Sequence, residues 1–209
     1  VYRYPETWQL AFDPAKLGLP VSKERVQYAI GRRHFWVPKG MRPDEYDPAK
    51  AAAYLPDLTN PEVQQLLTSW AEKQIECGAD AIWIDALYWT ASVALRTAGS
   101  ADHPALRTIW QAAAKLIASI REAGKRHGRN VLVGTWAAAW ARPDRPAPPN
   151  PGLDFVTVTP SVPEVKAMRM DEEQWRERIA LIRKRLGDIP IFAFLDWSGT
   201  TNTPLGQFS

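Results

Sequence analysis

The chain has 209 residues, of which 45% are hydrophobic, and a net charge of only +3. These values fit one globular domain with a sizeable core, and they argue against nucleic acid or a membrane surface as a partner. The single cysteine excludes an internal disulfide, and the three dispersed histidines match no metal-ligand spacing. We therefore expect no metal and no cofactor. No apolar run is long enough for a membrane helix.

The N-terminal third is predicted to contain two short strands around one helix. Residues 8–12 form an apolar run typical of a strand. Residues 22–30 predict a helix that is capped by Ser22 and stopped by Gly31. Residues 34–37 predict a second strand, and a loop rich in proline and aspartate follows.

From residue 60 onward, predicted helices alternate with predicted strands. One helix begins at Asn60, with proline at its first position, and ends at Gly78. A long amphipathic helix covers residues 104–126, and a third begins at the capping residue Asp171 and ends at Gly187. Short apolar runs predict strands at residues 81–84, 131–134, 155–158 and 190–195.

Apolar strands that are each followed by a helix indicate a parallel sheet covered on both faces. Long loops after the strands, and the lack of a glycine-rich dinucleotide turn, favour a barrel over a doubly wound sheet. The six strands are spaced like the second to seventh of eight. We predict an incomplete (β/α) TIM-type barrel with about six of its eight units, one catalytic domain over residues 1–209 of a longer chain.

Two aspartates directly follow predicted strands, where barrel enzymes place their chemistry. Asp85 follows residues 81–84, and Asp196 follows residues 190–195. Two facing carboxylates are what cleavage of a glycosidic bond requires. The alternative is that each aspartate caps a helix or binds loop amides. Asp80 and Asp154 precede their strands, so we expect them at the opposite rim, in a stabilising role.

Aromatic side chains cluster after the strands and suit the stacking of sugar rings. The candidate substrate-binding residues are Trp36, Tyr88, Trp89, Trp136 and Trp197. Glu6 is a further candidate if residues 1–4 form a strand, the alternative being a surface acid. Core packing is expected instead for Trp70, Trp83 and Trp110.

Two neighbouring stretches carry a family resemblance. Residues 57–63 (DLTNPEV) and 78–85 (GADAIWID) resemble the region around the fourth barrel strand of many glycoside hydrolases. That resemblance covers about thirty residues and implies that Asp85 is the nucleophile or a key acid. Cellulase-like barrels carry their catalytic pair after strands four and seven, the positions of Asp85 and Asp196. They use glutamates there, and an aspartate after strand four is closer to families acting on α-linked sugars.

The predicted function is hydrolysis of O-glycosidic bonds in an oligosaccharide or polysaccharide by two carboxylates. Two alternatives stay open: a barrel enzyme for a phosphorylated metabolite, with residues 198–201 at the phosphate, and a non-catalytic carbohydrate-binding barrel. An extracellular location is favoured if the substrate is a polysaccharide. The 18 prolines and the excess of arginine over lysine indicate a heat-tolerant source. The basic run at residues 183–185 is interpreted as a solvated helix face.

Overall fold

Four parallel strands form a single sheet in the computed structural model, which describes residues 5–33, 37–48, 51, 53–85 and 87–194. The strands lie side by side in chain order and are β1 (Ala81–Ile84), β2 (Leu132–Trp136), β3 (Phe155–Val158) and β4 (Ile191–Ala193). Their register pairs Ile84 with Thr135, Thr135 with Val156 and Val156 with Ile191. All four carboxyl ends therefore meet at one edge of the sheet.

The described residues contain six α-helices: α1 (Lys23–Arg33), α2 (Pro61–Glu76), α3 (Trp89–Ala98), α4 (Pro104–Arg126), α5 (Val162–Ala167) and α6 (Glu172–Leu186). The predicted caps of α2 and α6 are confirmed. Asn60 accepts a hydrogen bond from the amide of Glu62 at 2.9 Å, and Asp171 accepts one from Gln174 at 3.0 Å. None of these helices combines the length and the apolarity that a bilayer crossing requires.

Helix α4 forms the centre of the core. Its residues Leu116, Ile117 and Ile120 are fully buried and belong to the same apolar cluster as Val133 of β2 and Val156 of β3. Burial of each such side chain contributes about 1.5–3 kcal/mol. The 3.6-residue spacing of these positions explains why the sequence predicts this helix over its whole observed length.

The predicted barrel is wrong. In the described residues the sheet has four strands and two open edges, since β1 pairs only with β2 and β4 only with β3. Residues 8–12, predicted to be a strand, instead belong to the 3-10 helix Pro5–Leu10 and to an isolated antiparallel bridge between Ala11 and Pro56. Of the other predicted strand, at residues 34–37, only Val37 is described, and it lies in a bend.

Local contacts explain the failed strand prediction at residues 8–12. The amide of Phe12 donates to the carbonyl of Leu55, and the amide of Asp57 donates to the carbonyl of Leu10. These backbone groups are therefore satisfied away from the sheet, and apolarity alone does not reveal the partner of a short run. Gly31 lies inside α1 and does not stop it. The position requires glycine because Val37 packs where a side chain would project.

Within the described residues, helices cover only one face of the sheet. Ile82, Val133 and Val156 face the core, whereas Trp83, Leu132 and Phe192 are 37%, 45% and 55% exposed. The expectation of two covered faces is therefore not met here. Trp83 of β1 stacks on Phe194, which follows β4, at 5.5 Å between ring centroids. The first strand of the sheet thus contacts the residue after the last strand, above the open face.

Asp80 and Asp154 lie at the amino-terminal rim of the sheet, as predicted, and each is paired with an arginine. Asp154 accepts hydrogen bonds from Arg121 at 2.6 Å and from the amide of Val133 at 2.7 Å. Asp80 accepts one from Arg129 at 2.7 Å. These contacts join the strands to neighbouring segments at the edge away from the candidate site.

Candidate functional site at the carboxyl ends of the strands

A cavity of about 400 Å³ lies at the carboxyl ends of β2 and β3. Parallel α/β sheets bind their ligands at this edge, and the volume is within the range of small-molecule sites. We call it the strand-end cavity. Its lining combines aromatic and cationic side chains, namely Tyr88, Trp89, Trp110, Trp136, Arg96, Arg142, Arg145 and Arg178.

Three of the predicted substrate-binding residues line this cavity. Trp136 ends β2 and is 42% exposed, whereas Tyr88 and Trp89 come from the loop after β1 and the start of α3. Trp36 and Trp197 lie outside the described residues. Glu6 belongs to the 3-10 helix Pro5–Leu10, and its side chain lies outside the described part of the structure.

Asp85 is exposed and directly follows β1. The register pairs the preceding residue, Ile84, with Thr135, so Asp85 is level with Trp136 on the neighbouring strand. It does not cap α3, whose N-cap residue is Tyr88, and its carboxylate has no hydrogen-bond partner among the described residues. Asp196, the other predicted catalytic residue, lies outside the described residues, so the distance between the two carboxyl groups is not defined here.

Two residues in the cavity wall carry buried polar atoms without a partner in the described part of the chain. These atoms are Oη of Tyr88 and Nε1 of Trp110. Burial raises the pKa of the Tyr88 phenol, which keeps the hydroxyl protonated and able to donate. The ring of Tyr88 is held edge-on against Trp140 at 4.4 Å between centroids. An unpaired buried donor costs about 1–3 kcal/mol.

The loop at residues 140–145, here called the arginine loop, supplies Arg142 and Arg145 to the cavity. Arg185 of α6 holds it by donating to the carbonyls of Trp140, Arg142 and Arg145 at 3.1, 2.8 and 3.1 Å. The interpretation of residues 183–185 as a solvated helix face is therefore wrong for Arg185. The Arg185 side chain is half-buried and reaches from α6 to the arginine loop.

Helix α6 also carries Arg178, which lies above a group of hydrogen-bonded residues around Glu164, here called the Glu164 platform (Ser161, Glu164, Asp171 and Trp175). The buried carboxylate of Glu164 accepts from the amides of Ser161 and Asp171 at 2.7 and 2.9 Å, and from Nε1 of Trp175 at 2.7 Å. Arg178 lies over the ring of Trp175 at 5.4 Å. The platform therefore ties the segment after β3 to α6 and fixes the base of the Arg178 side chain.

Hydrogen bonds keep Glu164 ionised in spite of its burial. Burial raises the pKa of its carboxyl group, but the backbone amides of Asp171 and Ser161 lower it more, together with the side chains of Ser161 and Trp175. The net result is a pKa of about 2, against an ordinary value of 4.5.

Sequence reasoning missed the arginines of this site. They come from α3, from the arginine loop and from α6, and no local pattern links residues so far apart in the chain. Trp110 was expected in the core, and it does sit on α4, but it reaches the cavity wall. The available signal was the position of a proline-rich loop with two arginines directly after a strand.

Comparison with known proteins gives no family for this chain. The sequence matches no protein-family model, and it has no significant match among curated proteins.

Proposed function

We propose that this protein is a glycoside hydrolase that binds a saccharide in the strand-end cavity. The observation that carries the proposal is the cavity itself, in which indole rings and hydrogen-bond donors line one pocket at the carboxyl edge of a parallel sheet. Indole rings pack on the apolar C–H faces of sugars, and the polar groups bind hydroxyls. Trp89, Trp110 and Trp136 supply the rings.

Asp85 is the catalytic carboxylate in this proposal. Its position level with Trp136 puts it at the same edge of the sheet as the cavity, although it is not one of the lining residues, and its lack of a partner among the described residues leaves its oxygens available. It acts either as the acid that protonates the leaving oxygen or as the group that attacks the anomeric carbon. Asp196 is proposed as the second carboxylate, from its place in the sequence three residues after β4.

A second candidate function is turnover of a phosphorylated small molecule. The four arginines in the cavity lining favour it, because guanidinium groups bind phosphate in a bidentate way. Such an enzyme would not hydrolyse glycosidic bonds, which separates it from the first candidate.

The test is hydrolysis of a panel of aryl glycosides and polysaccharides by three proteins. The Asp85→Asn variant should lose at least about a hundredfold in kcat, the usual contribution of a positioned acid or base. Asp80→Asn is the matched control, because Asp80 lies at the other end of the same strand and its exposed pair with Arg129 contributes little to stability. Activity of Asp85→Asn within threefold of the unaltered chain would refute the proposal, as would a lack of hydrolysis across the panel by the unaltered chain.

A further inference from the structure

The strand-end cavity has an excess of positive charge. Four arginines line it, and among the described residues no aspartate or glutamate does. A site for neutral sugars typically mixes carboxylates and amides with its aromatic rings, since these accept hydrogen bonds from hydroxyls. Guanidinium groups only donate. The lining is therefore rich in donors and cations and poor in acceptors.

Arg178 is bound only to neutral acceptors within the described structure. It donates to the carbonyl of Thr159 at 3.1 Å and to the side-chain amide of Gln174 at 2.9 Å. Its half-buried guanidinium is oriented by the ring of Trp175 beneath it. A cation held in this way keeps its charge available to a ligand.

The positive charge of Arg145 is only weakly neutralised by nearby carboxylates in the described residues. Its nearest carboxylate in the described residues is Asp144, at 3.7 Å. That carboxylate is already bound through both oxygens by Arg142, at 3.1 Å for each contact, and the pairing lowers the pKa of Asp144. One exposed aspartate therefore serves two arginines, and the charge of Arg145 remains in excess.

We propose that the ligand is a saccharide bearing an anionic group, a carboxylate or a phosphate, which Arg145 and Arg178 bind in the strand-end cavity. This inference rests on the proposed function and adds the substrate class. A guanidinium matches either anion with two parallel hydrogen bonds. The sugar ring would pack on Trp89 and Trp136.

The test is calorimetric titration at low salt with matched sets of sugars. The sets are glucose, glucuronate and glucose 6-phosphate, and galactose, galacturonate and galactose 6-phosphate, with inorganic phosphate as a further probe. At least one anionic sugar should bind about tenfold or more tightly than its neutral counterpart, and Arg178→Gln should remove most of that preference. Arg176→Gln is the matched control, because Arg176 lies two residues away on α6 in an exposed pair with Glu172.

A second variant, Arg145→Gln, is titrated in the same way. Thermal unfolding of Arg178→Gln, Arg145→Gln and Arg176→Gln separates loss of binding from loss of fold. A preference for carboxylate or for phosphate alone supports the proposal and identifies the anion. Equal binding of neutral and anionic sugars would overturn the proposal. So would a preference for anionic sugars that survives in Arg178→Gln and in Arg145→Gln, or binding of inorganic phosphate as tight as that of the sugar phosphates.

Different results would refute the anionic substrate and the hydrolase activity. Hydrolysis of neutral glycosides that depends on Asp85, without a preference for anionic sugars, would refute only the anionic substrate. Binding of anionic sugars that depends on Arg178, without hydrolysis of any glycoside, would refute only the hydrolase.

Discussion

Replacing Glu164 by glutamine should lower the free energy of unfolding by about 3 kcal/mol at pH 7. The magnitude follows from the pKa of Glu164, which is about 2 in the folded protein against an ordinary value of 4.5. Each pKa unit is worth about 1.4 kcal/mol. Glutamine is uncharged, and it presents an NH₂ group to amide and indole donors that need an acceptor. It therefore loses the stabilisation that the ionised carboxylate provides.

The pH dependence has a defined sign. Because the folded-state pKa is lower than the unfolded-state value, folding favours the ionised carboxylate, and this stabilisation is complete above about pH 5.5. It is lost progressively as the pH falls through 4.5 toward 2. The gap in stability between the unaltered chain and Glu164→Gln should thus narrow from about 3 kcal/mol at pH 7 to about 1 kcal/mol at pH 3.

Urea denaturation at pH 7, 5 and 3, followed by tryptophan fluorescence, measures this gap. At neutral pH the same difference should appear as a fall in Tm of about 6–12 °C. The control is Glu177→Gln, an exposed glutamate on the neighbouring helix α6, which should change stability by less than about 0.5 kcal/mol. A gap below 1 kcal/mol at pH 7, or one that stays constant down to pH 3, would refute the stabilising role of the ionised Glu164.

Two further predictions concern polar side chains: Arg185, which holds the arginine loop, and the buried Gln27. Arg185→Met should speed hydrogen exchange of the amides in the arginine loop by about tenfold, since three carbonyls lose their shared donor. The control is Arg183→Met, whose exposed side chain makes none of these bonds and which should leave the exchange unchanged. Equal exchange in both variants would contradict the role assigned to Arg185. Gln27→Leu should cost about 2–4 kcal/mol in urea denaturation. Gln27 is 2% exposed and bonds three backbone groups, of which the carbonyl of Phe12 and the amide of Leu55 would lose their partner, whereas the carbonyl of Leu55 keeps the amide of Phe12. The exposed Gln74→Leu serves as its control, and a loss below 1 kcal/mol for Gln27→Leu would contradict the reasoning.

The helices with caps and long apolar faces were predictable from the sequence. Asn60 and Asp171 mark helix starts because their side chains bond amides only two or three residues away, which is a local event. Helix α4 was predicted at its observed bounds because its apolar residues repeat with the helical period. Strands β1 and β3 were predicted at their observed bounds as well, since each is a short apolar run between turn residues.

The sheet architecture was not predictable in the same way. Apolar runs at residues 8–12 and 81–84 look alike in sequence, yet the first forms a 3-10 helix with one antiparallel bridge and the second an edge strand of the sheet. What separates them is the partner that each backbone finds, which lies far away in the chain. Apolarity on both sides of a strand likewise did not reveal that one face of the sheet is open in the described residues.

Neighbours a few positions apart in the chain predict where α2, α4 and α6 begin, which strand precedes Asp85, and which aromatic residues follow the strands. Tertiary packing alone brings Arg145 and Arg178 to one cavity with Tyr88 and Trp136. These residues come from the arginine loop, α6, the segment before α3 and β2, and the parallel packing of strands and helices brings them together. Side chains so distant along the chain share a site only once the core has set their positions.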